Sequence, residues 1–122
     1  MRKTSGATDI ATLREIALSF PGVKQGTSYG TMAWRVRKSF IARVKEDGES
    51  IAIRMDFGER EILMEGEPGT FFITDHYRNY PMVLVRLDKV HPDELKRIFS
   101  NAWRKHAGKR LIEQLDRGRA KS

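Results

Sequence analysis

The sequence predicts an α+β domain, a single antiparallel sheet of four to five strands carrying helices on one face. Three observations lead there. Segments with apolar residues at every second position succeed one another across residues 31–55, joined by connections too short for a crossover. Segments with apolar residues at helical spacing stand near both ends of the chain. Between them lies Met-Val-Leu-Val-Arg-Leu at 82–87, too β-branched and too short for a helix. At 122 residues and 39% apolar content, the chain can build one core and reads as one domain.

Residues 1–7 are polar and expected to be disordered. Thr8 or Asp9 can cap a first helix, whose apolar face is Ile10, Leu13, Ile16, Ala17 and Phe20. Pro21-Gly22 ends it, and residues 22–30, with three glycines and no apolar periodicity, read as a loop.

Strands are expected at 31–36, 40–45 and 51–55, with Arg37-Lys38-Ser39 and the Asp47-Gly48 segment as turns. Residues 59–65 suggest a short helix, 71–74 a short strand, 75–81 a polar-aromatic loop and 82–87 the last strand. Pro92, Asp93 and Glu94 suit the first turn of a long helix. Leu95, Ile98, Phe99, Ala102, Trp103 and His106 form its inner stripe, and Gly108 closes it. A further helical piece at 109–115 completes a domain expected over 8–116, with 117–122 as a flexible basic tail.

Alternation then assigns the faces. Met32, Trp34, Val36, Phe40, Ala42, Val44, Ile51, Ile53, Met55, Val83, Val85 and Leu87 turn to the helices. Arg35, Arg43, Lys45, Arg54 and Arg86 turn to the opposite, solvated face. A row of guanidinium groups across a sheet can follow the phosphates of a nucleic-acid backbone. The net charge of +7 lies entirely in residues 96–122, which hold nine Lys/Arg and two acids. That segregation favours a polyanionic partner. The outer face of the last long helix supplies Arg104 and Lys105. The loop His76-Tyr77-Arg78-Asn79-Tyr80-Pro81 is the most site-like segment, with tyrosines that can stack on bases and an arginine that can hold a phosphate.

Other chemistry finds little support. The chain has no cysteine, hence no disulfide, thiolate nucleophile or cysteine zinc site, in keeping with a cytoplasmic location. Residues 1–12 lack the apolar stretch of a secretory leader, and no run approaches the roughly 20 residues that span a bilayer. Asp56-Phe57-Gly58 matches the kinase metal triplet in letters alone, without a glycine-rich phosphate loop. Histidines 76, 91 and 106 show no ligand spacing, so no metal is expected. Asp75-His76 has no nucleophile elbow to serve.

With these elements in place, the chain resembles the MmcQ/YjbR family of small bacterial proteins. The resemblance is carried by LREIALSFPGV at 13–23, MAWRVRKSFIARV at 32–44, FFITDHYRNYPMVLVRL at 71–87 and HPDELKRIFSNAWRKHAGKRL at 91–111. Family members often have a His-Trp pair before the last strand, a place taken here by Tyr80-Pro81-Met82. The resemblance implies a frataxin-like or double-wing α+β outline and a DNA-binding role. It brings no catalytic residues and no cofactor.

The expectation is therefore a non-enzymatic DNA-binding protein, mainly electrostatic and weakly sequence-specific, with a monomer as the default. Its binding residues would be Arg35, Arg43, Lys45 and Arg54 on the sheet, Tyr77 and Arg78 in the loop, and Arg104 and Lys105 on the helix. The alternative is a protein- or small-anion-binding module with the 75–81 loop as its mouth, which requires a concavity beside Tyr77 and Tyr80. An enzyme ranks third, because no paired carboxylates or nucleophile–base pair can be argued from spacing.

Overall fold

Alternation does not reveal the first strand. Val-Lys-Gln-Gly-Thr-Ser has one apolar residue in six, yet it forms β1 (Val23–Ser28). Its hydrogen bonds come from β2 (Thr31–Val36), reached through the two-residue turn Tyr29-Gly30. Both turn residues have positive φ, 52° and 81°, the geometry that suits a tight hairpin to the twist of its strands. An edge strand with little to bury has no need of an apolar pattern, so the expected loop at 22–30 is instead the sheet's edge.

The structure is a computed structural model that describes residues 8–121; the expected disorder of 1–7 lies outside those residues. After α1 (Ile10–Leu18) and the first hairpin come β3 (Ser39–Val44), β4 (Ser50–Arg54) and α2 (Phe57–Gly66). Next follow β5 (Phe71–Phe72), a 3-10 turn at Asp75–Tyr77, and β6 (Met82–Arg86). The chain closes with α3 (Pro92–Ala107) and α4 (Lys109–Lys121). Six strands stand in the order β1-β2-β3-β4-β6-β5, every neighbouring pair antiparallel. The class is the expected one, with one strand more. Helix α4 continues through 117–121, where a basic tail was expected.

The faces follow the expected alternation except at one place. Trp34 pairs with Ala42, but Arg35 pairs with Phe40, so Ile41 is an extra residue on β3. This bulge turns Ile41 and Ala42 both toward the helices, where both are fully buried. Phe40, expected in the core, is displaced to the opposite face and only partly buried. The ladder between β3 and β4 stops at Ala42–Ile53, and the Phe40 carbonyl instead accepts from Arg54 Nε at 2.5 Å. A backbone bulge thus places an arginine at the end of the sheet.

Beneath the other face, Phe20 stacks on Phe99 at 5.4 Å and leans on Trp103 at 5.3 Å, joining α1 to α3. The buried Trp103 indole satisfies its donor on the Pro21 carbonyl at 2.9 Å. Asp9 caps α1 by accepting from the Thr12 amide at 2.7 Å, while Thr8 is buried and bonded to the carbonyls of Leu87 and Val90. Leu111, Ile112 and Leu115 of α4 pack against the same core.

The bulge has a direct test in chemical denaturation. Ile41→Ala should lower stability by about 2–5 kcal/mol, the range for a buried isoleucine, and Phe40→Ala by much less. Unbroken alternation would reverse that order.

Candidate functional site

The loop after β5 is shaped by a residue on α2. Arg60 is only 6% exposed, and its guanidinium donates to four backbone carbonyls. Nη1 reaches those of Tyr77, Tyr80 and Met82 at 3.1, 2.8 and 3.0 Å, and Nη2 that of Arg78 at 3.1 Å. Phe57 covers one face of the group, with its ring centroid 4.8 Å away. Among the described residues no carboxylate pairs with it. A buried cation is tolerated when its donors are met, and here the loop's carbonyls engage both Nη1 and Nη2. Nothing in the acid-rich sequence around Arg60, expected only as a short helix, signals this role.

So held, the loop covers part of the face opposite the helices. Tyr77 is buried with Ala52 and Leu84 in a small second apolar cluster, flanked by Phe72, Ile73 and Met82. What stays open, over β3 and β4, is a basin of about 700 Å³. Tyr77 and Tyr80 form its loop wall, Tyr29 stands on the far rim, and Phe40 lies on its floor side. Tyr29 is 84% exposed and Tyr80 55%, large rings standing in water.

Arg43, Lys45 and Arg54 supply the basin's cations and Glu46 its carboxylate. Arg43 donates to Thr31 Oγ1 at 3.0 Å and pairs with Glu46 at 3.3 Å, and its guanidinium lies 5.0 Å from the Tyr29 ring centroid. Lys45 Nζ bonds the Tyr77 hydroxyl at 2.9 Å and approaches Glu46 at 3.6 Å. The Glu46 carboxyl is held below its ordinary value, first by its own backbone N–H and then by Arg43 and Lys45. One carboxylate therefore serves two cations, and Arg54 has no carboxylate partner among the described residues. The basin keeps a positive balance.

The eight residues expected to bind are not one surface. Arg43, Lys45, Arg54 and Tyr77 converge on the basin. Arg43 was expected in water but is 6% exposed, because Tyr29 and Glu46 cover it. Arg35 shares the face but lies over Phe40, 5.7 Å from its centroid, outside the basin wall. Arg78 pairs with Asp75 at 2.5 Å on the outside of the loop. Arg104 pairs with Asp116 at 3.0 Å and Lys105 with Asp56, and neither lines the basin. The charges of sheet and helix do not merge into one strip. Tyr29 and Phe40 were missed as site residues. The Tyr-Gly dipeptide at a hairpin tip was an available signal for the first, and no local signal marks a bulge.

A second, smaller cleft of about 240 Å³ adjoins the basin, with Arg54 and Pro81 in the walls of both. It lies between the end of β4, the start of α2 and one side of α3, which contributes Asn101, Ala102, Lys105 and His106. Burial, then the charges of Arg54 and Lys105, hold the His106 imidazole below its ordinary value of 6.5. Neutral imidazole is thus its form at pH 7. Among the described residues no three His, Asp or Glu side chains gather as metal ligands, and no helix is long and apolar enough to cross a membrane.

This architecture is shared with known proteins. The crystal structure of Deinococcus radiodurans protein DR2400, a DUF419 domain, superposes with a TM-score of 0.71 at 17% identity. The match covers 92% of this chain and 91% of that one, a likeness of fold. The YjbR family pattern matches residues 18–105. The chain belongs to the YjbR family. Uncharacterised proteins of Mycobacterium tuberculosis and Mycobacterium bovis are 36% identical over 67 residues, 54% of this chain and 52% of theirs. The chain thus spans about half the length of the curated relatives it matches.

Two outcomes are expected from the site's geometry. Arg60→Met removes the donors to four carbonyls and should lower stability by on the order of 3 kcal/mol. Amide hydrogen exchange should then quicken across 74–82 before it does in the sheet. Arg60→Lys should recover only part of the loss, since an ammonium has three donors and no planar fork. The second outcome concerns pH. Because the folded-state value of His106 lies below 6.5, the unfolded chain takes up the proton first. The stability linked to the neutral ring is complete above 6.5 and is lost as pH falls through the lowered value. His106→Gln should flatten that decline in a comparison of urea midpoints between pH 7.5 and 5 (roughly, the span of histidine titration). Glu94 is raised above 4.5 by burial and by Glu67 and acts in the opposite sense, so the difference from wild type is the quantity to read.

Proposed function

We propose that this protein is a non-enzymatic nucleic-acid-binding module that takes single-stranded DNA or RNA on the open face of its sheet. Binding is mainly electrostatic, assisted by stacking and weak in sequence preference. The observation that carries this reading is the convergence in one basin of three cations, one carboxylate and the exposed rings of Tyr29 and Tyr80. Cations beside rings suit a strand whose bases are free to stack, at about 1–3 kcal/mol per base. Duplex DNA offers no unstacked base, and a long basic strip is what it would need. Here Arg104 and Lys105 are ion-paired and line no part of the basin.

A second reading has its own support. The basin volume falls within the roughly 300–1,000 Å³ of small-ligand sites. A small phosphorylated or carboxylated aromatic compound would meet the same cations and rings.

Fluorescence anisotropy with labelled single-stranded oligonucleotides tests the proposal. Three phosphate contacts at about −0.7 each give a log–log salt slope near −2. Arg54→Ala should lower that slope by about 0.7, while Tyr80→Ala should weaken binding and leave the slope unchanged. Absence of binding at ~50 mM salt, or a preference for duplex, overturns it. Saturation by a mononucleotide, with no tighter binding of oligonucleotides, establishes the second reading instead.

A further inference from the structure

The cleft beside the basin differs from it in charge. Asp56 pairs with Lys105 across its mouth, and Glu59 pairs with Arg97 at 3.6 Å. Its lining sets two acids, Asp56 and Glu59, against two cations, Arg54 and Lys105, so it lacks the basin's positive balance. Met55, Pro81 and Ala102 give it apolar walls. Apart from the Arg54 guanidinium that it shares with the basin, its unengaged polar atoms are uncharged. Asn101 donates one amide hydrogen to Glu59 at 3.5 Å, which leaves its carbonyl oxygen free. Neither ring nitrogen of His106 makes a hydrogen bond among the described residues. At about 240 Å³ the cleft is smaller than a whole-ligand site and has room for a single ring system.

We propose that this cleft is a nucleobase pocket, in which one uncharged heterocyclic base lies between Pro81 and Ala102 and is read on its edge by Asn101 and His106. A base is planar and neutral and presents donors and acceptors side by side. An amide and an imidazole can each donate or accept, so together they suit such an edge. The shared wall supplies the connection. A strand in the basin with a phosphate on Arg54 has its next base at the entrance of the cleft. The inference rests on the single-strand reading for the source of the base, although a free nucleoside carries the same chemistry. It adds a preference for one base to a site otherwise indifferent to sequence. Neutrality of the imidazole at pH 7 keeps both roles, donor and acceptor, open to it.

Two arms of one experiment separate the sources. Homopolymeric single strands of each base are titrated into the full chain by anisotropy. Free nucleosides are titrated separately into the isotope-labelled chain, with the Asn101 side-chain amide and the His106 ring followed by NMR. The pocket predicts about tenfold preference for one homopolymer, the scale of one good pair of base contacts. Asn101→Ala and His106→Ala should erase that preference while the other three strands bind as before. Asn101→Asp and His106→Gln provide variants that keep the side-chain size, and the amide spectrum reports whether each is folded. Equal affinity for all four strands, with no response at Asn101 or His106, overturns the pocket and leaves the open-face reading standing. If no strand binds but a nucleoside moves the two signals, the pocket stands and the open-face reading falls. Silence in both arms removes both.

Discussion

One buried guanidinium organises the side of the sheet that faces away from the helices. Arg60 reaches from α2 to four carbonyls between Tyr77 and Met82, with no carboxylate among the described residues to balance its charge. Two of these carbonyls, those of Tyr77 and Tyr80, also accept one nearby backbone N–H each, and Met82 opens β6. Loop and arginine each answer the other's polar requirement, and neither could be buried alone. With the loop fastened, Tyr77 seals the small apolar cluster over Ala52 and Leu84, Tyr80 stands out into water, and Pro81 divides two cavities. The basin's wall is therefore a consequence of one side chain on a helix that itself contributes nothing to the basin.

The β-bulge at Ile41 is the second constraint, and it acts on the floor. One extra residue turns Phe40 outward and frees its carbonyl. Arg54 then fills the gap in hydrogen bonding and is fixed where basin and cleft meet. Bulges occur where a side chain has to be re-aimed. Here two side chains are re-aimed at once, a ring and a guanidinium, and both belong to the candidate site.

Net charge describes the surface poorly. Most of the cations nominated for binding have an acid close by: Arg78 has Asp75, Arg104 has Asp116, Lys105 has Asp56, and Arg43 and Lys45 share Glu46. Exposed pairs of this kind contribute little to stability, yet they lower the local potential. The surplus near the C-terminus adds a long-range positive field, screened beyond about 8–10 Å at ordinary salt. In the proposed function, selectivity rests on the short-range features, the rings of Tyr29 and Tyr80 and Arg54, which has no carboxylate partner among the described residues.

By itself the sequence determined the class of fold, the long strands from 31 onward, the long helix with its Phe99 and Trp103 stripe, and the face on which the strand arginines lie. These follow from periodicity, which is a local property: a strand alternates and a helix repeats wherever it stands. Residues 75–81 were legible as site-like from composition, as were Arg43, Lys45, Arg54 and Tyr77 as its members. Tertiary structure alone decided the rest. It made an edge strand of Val23–Ser28, because pairing with β2 replaces the apolar pattern that segment lacks. It turned Phe40 outward through a bulge and kept Arg104 and Lys105, each paired with an acid, out of the basin that gathers Arg43, Lys45 and Arg54. It also made Arg60 central. A guanidinium that serves carbonyls some twenty residues away leaves no trace in its own neighbourhood, since those partners are backbone atoms that every residue carries.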